Sequence, residues 1–186
     1  IEVFRGDELD VMSRFIEVGK LKKANAIVRV TGDNPLTDYD LMDQMIYSHK
    51  KLCAEYTFTD SIPHGTRSEI VDLNALIRCH GLIQDKNATE YMTWMLNRPD
   101  YFRVNRHVFN EKNINRTDVS LTVDTKHDYE LVKMIFNYFD GNPGNLDEII
   151  NYYDTIPDKY KRTIASEHLI DKKNKINTKF ILDEWY

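Results

Sequence analysis

Cysteine is nearly absent from this sequence. The two present, Cys53 and Cys79, fall in predicted helices without metal-ligand spacing, which suits a reducing cytoplasm. There is no basic block and no aromatic motif of the RNA-binding kind. The net charge of −5 is spread along the chain, so nucleic acid is disfavoured as a partner. No stretch reads as a signal peptide or as a membrane span, so no membrane partner is expected. The seven glycines are scattered, with no clustered Gly–Lys/Arg motif, and no internal repeat is found. The chain opens on Ile1 and lacks an initiator Met, which leads to the expectation that an N-terminal portion is absent. What is present suffices for one good core: 186 residues, 41% of them hydrophobic, point to a single domain.

The stretch around which the rest is arranged is AIVRVTGDNPLTDYDLMDQMI, residues 26–46. Ala26 to Val30 is a short, β-branched apolar run, read as a strand covered on both faces. Thr31-Gly32-Asp33-Asn34-Pro35 stops it. Thr37 or Asp38 then caps a helix over 38–52, in which Leu41, Met42, Met45 and Ile46 recur at helical spacing. A strand entering a helix through a tight turn sets the turn residues at the carboxyl edge of a sheet, where α/β proteins bind ligands. Asp33 occupies that position.

Upstream, Ile1 to Phe4 read as the end of a strand, and Asp7 as the cap of a helix carrying Leu9, Met12, Phe15, Ile16 and Leu21. Downstream, strands are predicted at Glu55 to Thr59 and Ser68 to Val71, separated by the polar loop Asp60 to Arg67. Asp72 caps a helix through Leu73, Leu76 and Ile77, and another helix spans 88–97. Tyr101 to Phe109 alternates as a half-exposed strand, with Tyr101, Phe102, Val104 and Phe109 in need of cover. Val119 to Val123 is a second buried-type strand, and it too ends in an acid, Asp124. Thr125 with Asp128 makes a capping-box-like start to the next helix. Asp140-Gly141-Asn142-Pro143-Gly144 is the clearest break. It divides an α/β domain over 1–139 from a helical extension of the same domain over 140–186.

Two strands thus end in Asp33 and Asp124, each followed at once by a helix. If the strands are neighbours, both carboxylates meet at one edge. A hard divalent cation such as magnesium needs such a pair, with water and phosphate oxygens completing its shell. On spacing alone the plainer reading is favoured, Asp33 as a turn residue and Asp124 as a helix cap.

The run VRVTGDNPLTDYDLMDQMI, the loop IPHGTRSEIV and the segment LTVDTKHDYELV resemble, in that order and spacing, the nucleotide-sugar cytidylyltransferases. The branch most resembled is that of the spore-coat polysaccharide biosynthesis proteins, with CMP-KDO and CMP-sialate synthetases more distant. FRGDELDVMSRF matches the same branch, where a Gly, an Asp-Val pair and an Arg recur as Gly6, Asp10-Val11 and Arg14 do here. ATEYMTWMLNRPDYFRV and NLDEIINYYDTIPD extend the resemblance over nearly the whole chain.

The resemblance implies an α/β fold of the nucleotide-diphospho-sugar transferase type, a mostly parallel sheet with helices on both faces, here N-terminally truncated. It implies Mg2+ held by Asp33 and Asp124, and nucleotide contacts from Gly6 and Arg14. The implied reaction is attack by a sugar hydroxyl on the α-phosphate of CTP with release of pyrophosphate, with no dedicated base residue. It also implies a homodimer built partly by the 101–109 region.

Two departures stand out. The family's first strand and Gly-rich basic loop, which cradle the triphosphate and read the base, have no counterpart here, so this chain is expected to bind CTP weakly or not at all and to be inactive as it stands. And where the branch carries acids, in a P-D-G-L-D-V-E pattern, this chain reads Pro63-His64-Gly65-Thr66-Arg67-Ser68-Glu69. Glu69 survives, while His64 and Arg67 turn the lining partly positive. This suggests an acceptor bearing a carboxylate or phosphate, contacted by His64, Gly65, Arg67 and Glu69. A surface loop with solvated charges is the equal alternative. His80, His107 and His168 carry no usable signal, and the Tyr-rich tail reads as core packing or a dimer seam. An enzyme of the cytoplasm is one hypothesis. A non-catalytic remnant or interaction domain of the same fold is the other.

Overall fold

The computed structural model describes residues 2–87, 89–162 and 180. In chain order its elements are α1 (Val11–Leu21), β1 (Ala26–Arg29), α2 (Tyr39–Lys51), β2 (Tyr56–Phe58), β3 (Glu69–Asp72), α3 (Leu73–Leu82), α4 (Met92–Leu96), β4 (Val104–Arg106), α5 (Lys126–Tyr138) and α6 (Leu146–Thr155). Short 3-10 turns at Thr89–Tyr91 and Asp158–Tyr160 precede α4 and follow α6.

The sheet is mixed, in the order β1-β3-β2-β4. β3 runs antiparallel to both β1 and β2, while β2 and β4 are parallel. β1, β2 and β4 therefore share one direction and β3 opposes it, so the mostly parallel sheet expected from the sequence is only partly present. The reason lies in the connections. β2 and β3 are joined by a loop with no helix in it, which lets the chain turn back beside itself, whereas helices separate β1 from β2 and β3 from β4.

Helices cover both faces, and the alternation of one strand shows how. Val71 of β3 enters a core with Tyr56, Met12 and Ile16 of α1, Leu76 and Cys79 of α3, and Met92 and Met95 of α4. Its neighbour Ile70 enters another with Leu41 and Met45 of α2, and Leu146 and Ile150 of α6. A third core joins Leu131, Val132 and Ile135 of α5 to Ile149 and Tyr153 of α6, with Val119, Leu121 and Leu36 beneath. Each such fully buried aliphatic side chain contributes about 1.5–3 kcal/mol. Among the described residues no helix is long and apolar enough to cross a membrane.

The caps are mostly local events. Asp72 caps α3 through the Ala75 N–H, and Thr125 and Asp128 form a full capping box on α5. Asp38 caps α2 by accepting the Leu41 N–H at 3.0 Å, and its second oxygen accepts the Leu146 N–H of α6 at 2.9 Å. One carboxylate thus satisfies two helix starts. Asp38→Ala should cost about 2 kcal/mol, and Asp38→Asn, which keeps one acceptor oxygen, roughly half of that, as read by thermal melting.

Several expectations are corrected. The cap of α1 is Asp10 and not Asp7; Asp7 instead accepts the Leu9 and Asp10 N–H groups in the turn before it. Residues 2–4 form no strand. Cys53 lies just beyond α2 in a left-handed conformation, with φ 47°. The strand over 101–109 shrinks to β4. Phe102 and Phe109 are buried in the chain's own cores, so they need no cover from a second copy. Val119 to Val123 is buried as expected up to Thr122, but among the described residues it forms a single bridge, from Ser120 to His64, and no ladder with β1. His168 and the tail ending Trp185-Tyr186 lie outside the described residues.

His49 of α2 is buried, its Nδ1 at 2.9 Å from the Thr57 hydroxyl of β2, beside Asn105 of β4. Burial holds its imidazole below the ordinary value, with Asp72 pulling the other way and Lys50 adding to the depression. The unfolded chain then binds the proton more readily than the folded one. Stability should hold above the unfolded value, about pH 6.5, and decline as pH falls below it. Urea melts from pH 7.5 to 5.5 should show this decline, with a shallower slope in His49→Gln.

Candidate active site

The turn after β1 and the loop after β2 both hang on the segment 119–123. The Asn34 N–H closes the turn on the Thr31 carbonyl at 3.1 Å, and the Asp33 carbonyl accepts the Val123 N–H at 2.8 Å. Asp33 therefore lies against Val123, whose neighbour in sequence, Asp124, directly precedes the capping box of α5. From the other loop, the His64 N–H donates to the Val119 carbonyl at 3.0 Å, and the Leu121 N–H donates to the His64 carbonyl at 2.7 Å. Gly65 follows with φ 91°, so close to the segment that a Cβ there would fall 2.2 Å from the Thr122 nitrogen. Only glycine permits that approach.

The charges at this edge are unequally committed. Asp33 is exposed, and its carboxylate makes no hydrogen bond or ion pair among the described residues. Asp124 accepts from Arg162 Nη1 at 2.6 Å, and the same nitrogen lies 3.3 Å from Asp128 Oδ2. Asp128 is buried and also takes the Thr125 N–H at 2.8 Å. Burial first, and then the Arg67 guanidinium, hold the His64 imidazole below its ordinary value, against the pull of Asp124 and, less strongly, Asp33. A cleft of about 390 Å³ opens between Asp33 and α5, lined in part by Pro35, Val123, Tyr129 and Lys133.

This donor set suits a hard cation. The described residues contain no cluster of three or more His, Cys, Asp or Glu able to cage a metal. Two carboxylates with the remaining positions left to water and phosphate is the pattern that Mg2+ accepts. Next to Asp33, the amide oxygen of Asn34 is buried without a partner among the described residues, a further oxygen of the right kind at this turn.

The other residues singled out from the sequence are placed apart from this pair. Arg67 donates from Nε and Nη2 to the Ile62 carbonyl at 2.9 and 2.6 Å, so its guanidinium braces its own loop. Glu69 accepts from Arg29 Nη1 at 2.6 Å and from the hydroxyls of Tyr56 and Thr93, an ion network tying β1, β2 and β3 to α4. Its carboxylate therefore has no bond to the His64 loop. Gly6 and Arg14 do meet: a Cβ on Gly6 would fall 2.8 Å from Arg14 Cγ, and the Arg14 Nε is buried without a partner among the described residues. Sequence reasoning missed Asn34 and Arg162. The first was seen only as a strand breaker, and the second lies in a polar stretch with no local signal.

The family model for cytidylyltransferases matches residues 1–156, and the chain belongs to that family. It is 32% identical over 159 residues to the spore coat polysaccharide biosynthesis protein SpsF of Bacillus subtilis, covering 84% of this chain and 66% of that one. It is likewise 32% identical over 158 residues to an uncharacterized protein of Methanocaldococcus jannaschii, covering 84% of this chain and 65% of that one. The chain thus spans just under two thirds of the length of these relatives. A solved cytidylyltransferase from Leptospira borgpetersenii superposes with a TM-score of 0.75 over 88% of this chain and 71% of that one. At 23% identity that likeness shows the α/β fold.

Proposed function

We propose that this chain carries the cation-holding and acceptor-side part of a cytidylyltransferase. The enzyme would transfer CMP from CTP to a hydroxyl of a sugar or sugar acid, in the making of a surface polysaccharide or glycan. The observation that supports the reading is the Val123 N–H bond to the Asp33 carbonyl, which brings the Asp33 turn against the residue before Asp124. The biosynthetic role is supported by the name of the Bacillus relative.

In the proposed reaction the acceptor hydroxyl oxygen forms a bond to the α-phosphorus, the bond to the pyrophosphate oxygen breaks, and the hydroxyl proton passes to solvent. Asp33 and Asp124 would hold Mg2+, which when bound supplies charge neutralisation and a template for the phosphates. Gly6 and Arg14 form the proposed nucleotide contact, the orphaned Nε offering an unused donor. His64 and Gly65 present the loop edge to the acceptor. With its imidazole held neutral near pH 7, His64 offers one ring N–H and one lone pair rather than a charge. Arg67 acts as the brace of that loop. Glu69, the first residue of β3 after that loop, is committed to Arg29, Tyr56 and Thr93 and holds the sheet.

The experiment is pyrophosphate release from CTP and Mg2+, against a panel of sugars and sugar acids, by this chain preceded by the family's first strand and Gly-rich loop. A product with one acceptor, lost when Mg2+ is chelated, is the expected result. Release with no acceptor in the panel, under conditions where the protein is folded and Mg2+ is bound, would favour the interaction-domain reading. The free thiols Cys53 and Cys79 support a cytoplasmic setting. The homodimer now rests on family resemblance, and sedimentation at micromolar concentration tests it.

A further inference from the structure

Arg162 lies beyond the end of the family match at residue 156, yet its guanidinium sits among the acids of the site. We propose that Arg162 is an exchangeable counter-ion. It holds Asp124 while no cation is present, gives up that oxygen to a divalent cation, and then turns to a phosphate oxygen of the bound nucleotide or pyrophosphate. This rests on the reading of Asp33 and Asp124 as cation ligands.

Arg162 has two carboxylate partners, and they differ in how firmly they are fixed. Asp128 is 3% exposed. The oxygen it offers Arg162 also accepts the Asp124 N–H, the Thr125 N–H and the Thr125 hydroxyl, so it stays where the start of α5 puts it. Asp124 is different: its side chain is 45% exposed, and Arg162 is its one partner among the described residues. Asp128 is therefore the anchor and Asp124 the partner that can be exchanged.

The bond to Asp124 is made by Nη1 alone, without the two-pronged geometry that makes arginine–carboxylate pairs hold. A divalent cation that also takes the uncommitted Asp33 has the stronger claim on Asp124. Placing it and the guanidinium on one oxygen sets like charges together. Nε and Nη2 of Arg162 donate to nothing among the described residues, so the planar fork has free N–H groups for a phosphate.

The test is Mn2+ titration, with free Mn2+ followed by electron paramagnetic resonance, on the wild-type chain and on Arg162→Gln, Arg162→Lys and Asp124→Asn. Removing one positive charge from the site should tighten Mn2+ binding about tenfold in Arg162→Gln. Arg162→Lys, which keeps the charge, should stay near wild type. Inorganic pyrophosphate should bind the Mn2+-loaded Arg162→Gln chain on the order of tenfold more weakly than the loaded wild type. Mn2+ binding that is unchanged or weaker in Arg162→Gln would overturn the exchange, and so would unchanged pyrophosphate binding. If Asp124→Asn keeps wild-type Mn2+ affinity, it is the cation reading that fails. If Asp124→Asn loses Mn2+ while Arg162→Gln is unchanged, the cation reading stands and only the exchange fails. Should Arg162→Gln not fold, Mg2+ titration of the wild-type chain followed by the Arg162 guanidinium ¹⁵N signals decides: a shift at saturation is expected, and none would overturn the proposal.

Discussion

Gly65→Ala should lower the melting temperature by roughly 10 °C and detach the loop after β2 from the site. Two costs combine. The left-handed backbone at φ 91° is unfavourable for any residue with a Cβ, by about 1–2 kcal/mol. The new Cβ would also lie 2.2 Å from the Thr122 nitrogen and 2.4 Å from the Leu121 carbonyl carbon, both backbone atoms that no side-chain rotation can relieve. Moving the loop breaks the bonds His64 makes to Val119 and Leu121. A loss of about 3 kcal/mol or more corresponds to the stated shift for a chain of this size. Gly81→Ala is the control. Gly81 lies in α3 with nothing within 4 Å of a Cβ, so the change should be neutral or stabilising by up to ~1 kcal/mol. Equal melting temperatures for Gly65→Ala and the wild type would refute the close approach.

Asp33→Asn should weaken Mn2+ binding by about 100-fold or more while changing the melting temperature by less than about 2 °C. Even residues that only support metal ligands cost 10–100-fold when lost, so a ligand should cost at least as much. The carboxylate holds nothing together in the described structure: the fold contact at this residue is the backbone carbonyl, which asparagine keeps. Affinity and stability should therefore separate at Asp33. At Asp124 they should not separate so cleanly, because that carboxylate is also the partner of Arg162. A drop in stability as large at Asp33 as at Asp38, which caps two helices, would mark it as a structural turn residue.

How much of this was legible in the sequence depended on whether the cause was local. Asp38, Asp72 and Thr125 were readable as caps because each directly precedes an apolar run at helical spacing. Asp7 was read as the cap of α1, whereas the cap is Asp10. What decides for Asp10 is distant: its carboxylate takes the Thr89 hydroxyl at 2.9 Å and lies 2.6 Å from His80 Nε2. The apolar runs of β1 and β3 were visible, but not the direction of β3, which is fixed by a helix-free connection and by pairing with strands on both sides. Tyr101 to Phe109 showed alternation, and alternation does not say what lies opposite. Phe102 found Phe180 and Phe109 found α6, both far along the chain. A shared edge for Asp33 and Asp124 was readable as a possibility from two strand ends; the described structure has one backbone bond there, from the Val123 N–H to the Asp33 carbonyl, and no ladder. Arg162 was not readable at all, since 38 residues separate it from Asp124.

The most direct test of the central claim is anomalous diffraction from a crystal of the chain soaked in Mn2+. The account predicts a peak within coordination distance of both the Asp33 and Asp124 carboxylates, with Arg162 turned away from Asp124. A peak elsewhere, or none at this edge with Arg162 still on Asp124 at saturating Mn2+, would contradict it.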